Sequence, residues 1–129
     1  MRKLVLCTLA VGLLLTLSGC DSKNRTYATV EELKVDFIKS GGQCWEWNKS
    51  SESDLQIMKQ TGHGECDSRT VLMTFPNIGE AEKSAIELAK TIRSLKLGPV
   101  NMLFGKNWLI NSDQVEKVQR KLGGTLITR

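Results

Sequence analysis

An order of elements constrains this chain more than any single residue: a helical segment, a glycine stop and a strand-like run, met three times. The first begins at Thr29-Val30-Glu31-Glu32. This is a capping box, in which a hydroxyl at the cap and a carboxylate three residues on satisfy free amides of the first turn. Val30, Leu33 and Phe37 then fall on one face, and Gly41-Gly42 ends the helix. A second start signal, Asn77 with Glu80, precedes an apolar stripe of Ala81, Ala85, Leu88, Ala89, Ile92 and Leu95. That helix stops at Leu97-Gly98-Pro99, where proline forbids continuation. The third helix begins near Ser112, turns Val115, Val118 and Leu122 inward, and stops at Gly123-Gly124.

The strand-like runs that follow are Cys44–Trp47, Val100–Phe104 and Thr125–Thr128, with further runs at Leu55–Lys59, Arg69–Phe75 and Trp108–Asn111. Gly105-Lys106-Asn107 separates two apolar runs and reads as a hairpin loop. Together these predict one α+β domain over residues 29–129. Its core would be a small, mostly antiparallel sheet with about three helices on one face.

The first 19 residues have a different build. Arg2 and Lys3 supply positive charge, an apolar run extends from Leu4 to Leu17, and the small pair Ser18-Gly19 precedes Cys20. That is the three-part pattern of an export signal. The run is short of the roughly 20 residues a helix needs to cross a bilayer. Leu17-Ser18-Gly19-Cys20 resembles the lipobox of bacterial lipoproteins, Leu-(Ser/Ala)-(Gly/Ala)-Cys. The resemblance implies cleavage before Cys20, diacylglycerol on its sulfur and acylation of the new amino group. It also implies that Asp21 retains the protein in the inner membrane of a host with two membranes. Residues 20–28 are polar and aperiodic and read as a lipid-anchored tether.

Cys7 leaves with the leader and Cys20 carries lipid, so Cys44 and Cys66 remain as an even pair in an exported chain. An oxidising compartment favours a disulfide between them. The rival reading is a metal or redox pair. Their spacing is not that of a redox Cys-x-x-Cys, and no Cys or His companions stand at metal spacing.

Charge excludes little but does lower one expectation. Loss of Arg2 and Lys3 leaves 16 basic against 14 acidic residues, so +4 becomes +2. No clustered basic face calls for nucleic acid. Lys90, Arg93 and Lys96, with Lys117, Arg120 and Lys121, fall on helix exteriors as solvated faces, with a weak bias toward anionic lipid headgroups.

Signs of catalysis are sparse. His63 is the sole histidine, in Gly62-His63-Gly64-Glu65-Cys66-Asp67. His-x-Glu is half of the zinc deaminase signature, and the Pro-Cys-x-x-Cys half is missing. His63, Glu65 and Asp67 are competent metal ligands by type, but their setting among glycines reads as a solvated turn. No Gly-x-Ser-x-Gly elbow, phosphate loop or dinucleotide fingerprint occurs. The paired carboxylates Glu31-Glu32 and Glu80 with Glu82 sit where a helix dipole favours them. The expectation is no catalytic residue, no metal and no cofactor.

Aromatic residues are few, three Trp, three Phe and one Tyr. Trp45 and Trp47 alternate and would share one face of a strand. Buried, they are core beside the disulfide. Exposed, they are a platform for a sugar or a protein partner. Trp108 reads as hairpin packing.

Gly105-Lys106-Asn107-Trp108-Leu109-Ile110-Asn111, then a short helix and Leu122-Gly123-Gly124, resembles the tail of small secreted proteins and lipoproteins of actinomycete bacteria. Many of these also carry a Cys pair upstream. The resemblance implies fold and location only, because most of those proteins have no known function. Two functional readings follow. One is a membrane-anchored extracytoplasmic module that binds an envelope protein or cell-wall component, with Trp45 and Trp47 as contacts. The other is a small envelope hydrolase or metal-dependent enzyme using His63, which requires His63 in a cleft with acids converging on it.

Overall fold

The structure, a computed structural model, describes residues 23–128. The leader, Cys20 and Asp21 lie outside the described residues. The elements run α1 (Val30–Lys39), β1 (Trp47–Lys49), α2 (Glu52–Met58), β2 (Gly62–Cys66), β3 (Thr70–Thr74), α3 (Glu80–Ser94), β4 (Asn101–Phe104), β5 (Trp108–Asn111), α4 (Val115–Leu122) and β6 (Thr125–Thr128). The strands form one sheet, in the order β1-β2-β3-β5-β4-β6, and every neighbouring pair is antiparallel. The α+β class, the antiparallel sheet and the Cys44–Cys66 disulfide are all present.

The helices do not share one face. Leu72, Leu103, Trp108 and Ile110 pack with Val30, Leu33 and Phe37 of α1 and Val115, Val118 and Leu122 of α4. Met73, Met102 and Leu109 pack instead with Ala81, Ala85 and Ala89 of α3. The reason lies in the central strands. Val71-Leu72-Met73 and Met102-Leu103-Phe104 are apolar on both sides, so each face needs a cover. The basic groups on α3 and α4 are thereby parted by the sheet.

Two local expectations change. Leu55–Lys59 is not a strand. Ser51 accepts the amide of Asp54 at 3.3 Å and starts α2 there. Only Leu55 of this helix is buried, so the Leu55/Ile57 alternation carried no face. Conversely, the glycine-flanked run around His63 is strand β2, not a solvated turn. Its glycines make room: a Cβ at Gly62 would meet Val30 and Thr74, and one at Gly64 would meet the Trp47 ring.

The folded part also begins before Thr29. Asn24 donates its amide to the carbonyl of Leu122 (2.8 Å) and accepts from the amide of Lys106 (2.8 Å). Tyr27 is buried against Trp108 in an edge-to-face contact with ring centroids 6.3 Å apart. Its hydroxyl donates to Asp36 at 2.7 Å, and burial with that bond raises its pKa well above the ordinary 10.0. Asn107 accepts from the Tyr27 amide at 2.9 Å and donates to the carbonyls of Tyr27 (2.8 Å) and Phe75 (3.1 Å). Residues 24–28 are therefore part of the domain and not of a tether. Single-residue clamps of this kind leave no periodic trace in a sequence.

Candidate functional site

Trp45 is 83% exposed, the most open of the large apolar side chains among the described residues. Its backbone is held on three sides. Cys44, just before it, is bonded to Cys66 with the Cα atoms 4.9 Å apart. The carboxylate of Asp67 accepts from the amide of Trp45 at 3.0 and 3.1 Å and from that of Glu46 at 2.6 Å. The Asp67 amide in turn donates to the carbonyl of Glu46 at 3.0 Å. Asp67 and Ser68 both have left-handed backbones, with φ of 57° and 60°, and this tight turn aims the carboxylate at the Trp45 segment. The backbone that carries the indole is thus already ordered before any contact is made.

Trp47 is placed otherwise. It pairs across the sheet edge with Cys66 and packs, partly buried, against the α1 side of the core. The Lys34 ammonium lies 4.9 Å from its ring centroid, a cation–π contact. So the two tryptophans do not form one platform. The strand starts at Trp47 and not at Cys44, because Asp67 takes the amides that would otherwise extend the ladder.

Beside the Trp45 segment lies a polar cleft of about 330 Å³. Gln114 spans it, accepting from the Gln43 amide at 2.8 Å, and Arg69 pairs with Asp113 at 3.3 Å. Thr70 and Ser112 share a buried hydroxyl bond of 2.6 Å on its floor.

His63 occupies a second cleft, of about 340 Å³, between α3 and the open half of the sheet. Val71, Met73, Leu88 and Leu109 supply apolar lining, and Gln60, Ser84 and Asn111 join His63 as polar groups. The Nδ1 of His63 lies 2.8 Å from Oε1 of Gln60. The bond fixes the orientation of the ring, with the tautomer set by which way the Gln60 amide faces it. Burial lowers the His63 pKa from its ordinary 6.5, against the opposing pull of Glu65 and Asp54. Those carboxylates act on the ring through space, while its hydrogen-bond partner is an amide. Asp67, the second acid of the His63 run, is turned to the amides of Trp45 and Glu46. Among the described residues no three His, Cys, Asp or Glu side chains are grouped as a metal site.

No family model, curated protein or solved structure matches this chain.

Sequence reasoning did not find Asp67 as the clamp of Trp45, nor Gln60, Ser84 and Asn111 around His63. The Asp67-Ser68 pair did carry a turn signal, since Asp tolerates the left-handed region and bonds nearby amides.

Proposed function

We propose that this chain is a membrane-anchored extracytoplasmic lipoprotein that acts by binding, with Trp45 as its principal contact. The leader ending Leu17-Ser18-Gly19-Cys20 supports the anchor through acyl chains on Cys20. The Cys44–Cys66 disulfide fits an oxidising compartment. The observation that carries the binding reading is the exposure of Trp45 on a backbone fixed by the disulfide and Asp67. Tryptophan is among the residues that dominate protein interfaces. The partner belongs to the envelope, as a protein surface or a cell-wall component with an apolar or sugar face for the indole. Trp47 supports the edge of the core beneath it.

The test pairs a thermal melt with capture from solubilised envelope. Trp45→Ala should weaken capture by about thirtyfold, equivalent to about 2 kcal/mol, with the melt unchanged. Unchanged capture would refute the assignment. Intact mass of the membrane fraction should show the chain starting at Cys20 with added acyl mass. A soluble, unmodified mature form would refute the anchor.

A second reading rests on the His63 cleft, where the imidazole lines a space shared with Val71, Met73 and Leu109. It makes the protein a small envelope hydrolase or metal-dependent enzyme. A phenotype lost in His63→Ala and kept in Trp45→Ala would favour it.

A further inference from the structure

We propose that the domain lies on the membrane with one defined pole down, the pole formed by Asn24, the β4–β5 loop, the C-terminal end of α4 and the Pro76–Gly79 segment. Trp45 then points away from the bilayer. This rests on the lipid anchor at Cys20 proposed above, and adds to it the surface that meets the lipid.

Covalent geometry sets the distance. Asn24 is pinned to Leu122 and Lys106 by two hydrogen bonds of 2.8 Å. Four residues at about 3.5 Å each allow at most about 14 Å between the Cα atoms of Cys20 and Asn24. The domain is longer than that, because α3 alone, with fifteen residues, spans about 22 Å. A chain so short cannot hold the pole at Asn24 far from the headgroups.

The topology separates the two poles. Gly62 pairs with Thr74, and Thr74 with Trp108, at the Asn24 end of the sheet. At the other end Cys66 pairs with Thr70 and Trp47 and is bonded to Cys44. Helix α3 runs the same way. It starts where the Gly79 amide donates to the carbonyl of Lys106 (3.0 Å) and ends near Leu95 and Leu97.

The chemistry of the lower pole suits an anionic lipid surface. Lys23, Lys106 and Lys121 are exposed around Asn24. Ile78, 70% exposed, is an apolar side chain next to Gly79, whose amide bonds the Lys106 carbonyl, and suits the headgroup boundary. Of the carboxylates at this end, Glu80 accepts from the side-chain amide of Asn77 at 2.8 Å, Glu32 accepts the Ala28 amide at 3.3 Å, and Glu31 pairs with Lys49 at 2.7 Å. Lysines close to an anionic leaflet each favour contact by about fivefold.

Leu97 provides a matched control, since it is 66% exposed and equally apolar but lies at the opposite pole. The experiment uses the full acylated chain in vesicles of phosphatidylethanolamine and phosphatidylglycerol with nitroxide-headgroup lipid. A fluorophore is placed at Ile78→Cys or at Leu97→Cys, with intact mass and a thermal melt recorded for each. Quenching should be strong at position 78 and weak at 97. Adding Lys106→Glu and Lys121→Glu should cut the excess at 78, by about fivefold per lysine, without releasing the protein. Acylated, folded protein quenched equally at both positions would overturn the oriented pole and leave the anchor standing. An excess at 78 that ignores both lysine reversals would overturn the charged contact. Protein lacking acyl mass would overturn the anchor and the pole together.

Discussion

Removing the Asn107 side chain should cost more stability than its size suggests. In Asn107→Ala the buried amide and carbonyl of Tyr27 and the carbonyl of Phe75 all lose a partner at once. Each buried polar group left unpaired costs about 1–3 kcal/mol. Water entering the space left by the amide offsets part of that, so a loss of about 3 kcal/mol or more is expected. For a domain of this size the melting temperature should fall by at least about 12 °C. Hydrogen exchange should show the Tyr27 amide losing protection before the sheet does. Asn107→Asp separates this account from simple loss of packing. Its carboxylate keeps the bond from the Tyr27 amide but sets an oxygen against two carbonyls. The variant should therefore be less stable than wild type at neutral pH and recover as acid protonates the new carboxyl. An alanine variant within about 1 kcal/mol of wild type would refute the reasoning, as would an aspartate variant with no recovery in acid.

Other outcomes follow from the same structure. Trp47→Ala should destabilise by about 3 kcal/mol, read by denaturant unfolding, because its ring fills the space over Gly64. The Cys44–Cys66 bond closes a separation of 22 residues, so reduction or a double Cys→Ser change should cost about 3 kcal/mol in the chain-entropy model. Thiol labelling of unreduced, denatured protein should find neither cysteine. The His63 pKa is lowered in the folded state, so the unfolded chain takes up the proton first as pH falls. Stability should be full above the ordinary value of 6.5 and decline as pH drops from there through the lower native value. His63→Gln should remove that part of the acid dependence, measured as melting temperature against pH.

Much of the fold was legible because its helices carry local signals. Thr29 does accept the amide of Glu32 at 3.2 Å, and Gly123, with φ of 82°, does close α4. The hairpin over Gly105-Lys106-Asn107 was readable for the same reason. What escaped was tertiary. Apolar residues on both sides of β3 and β4 were visible, but the number of faces they imply depends on which strands are central. Gly62 and Gly64 looked like loop residues, yet each is small because neighbouring side chains, Val30 and Thr74 over one and Trp47 over the other, occupy the place of a Cβ. The motif Gly105-x-Asn107-Trp108 reads as a hairpin loop with its packing residue. Its physical content is a socket: Asn107 grips the Tyr27 backbone and the Trp108 indole donates to the Arg25 carbonyl at 3.0 Å. The candidate site was half legible. The Trp45/Trp47 pair was visible, but whether it forms one face depends on where β1 starts. The Asp67 carboxylate, 22 residues from Trp45, decides that.

The central claim is that Trp45 is the contact this domain offers to its partner. Site-specific photocrosslinking on cells carrying the full acylated chain tests it most directly, with a photoreactive residue in place of Trp45 and, separately, of Leu97. The account predicts one dominant adduct from position 45, weakened when Asp67→Ala frees the backbone, and no matching adduct from position 97. The same adducts from both positions, or none from position 45, would contradict it.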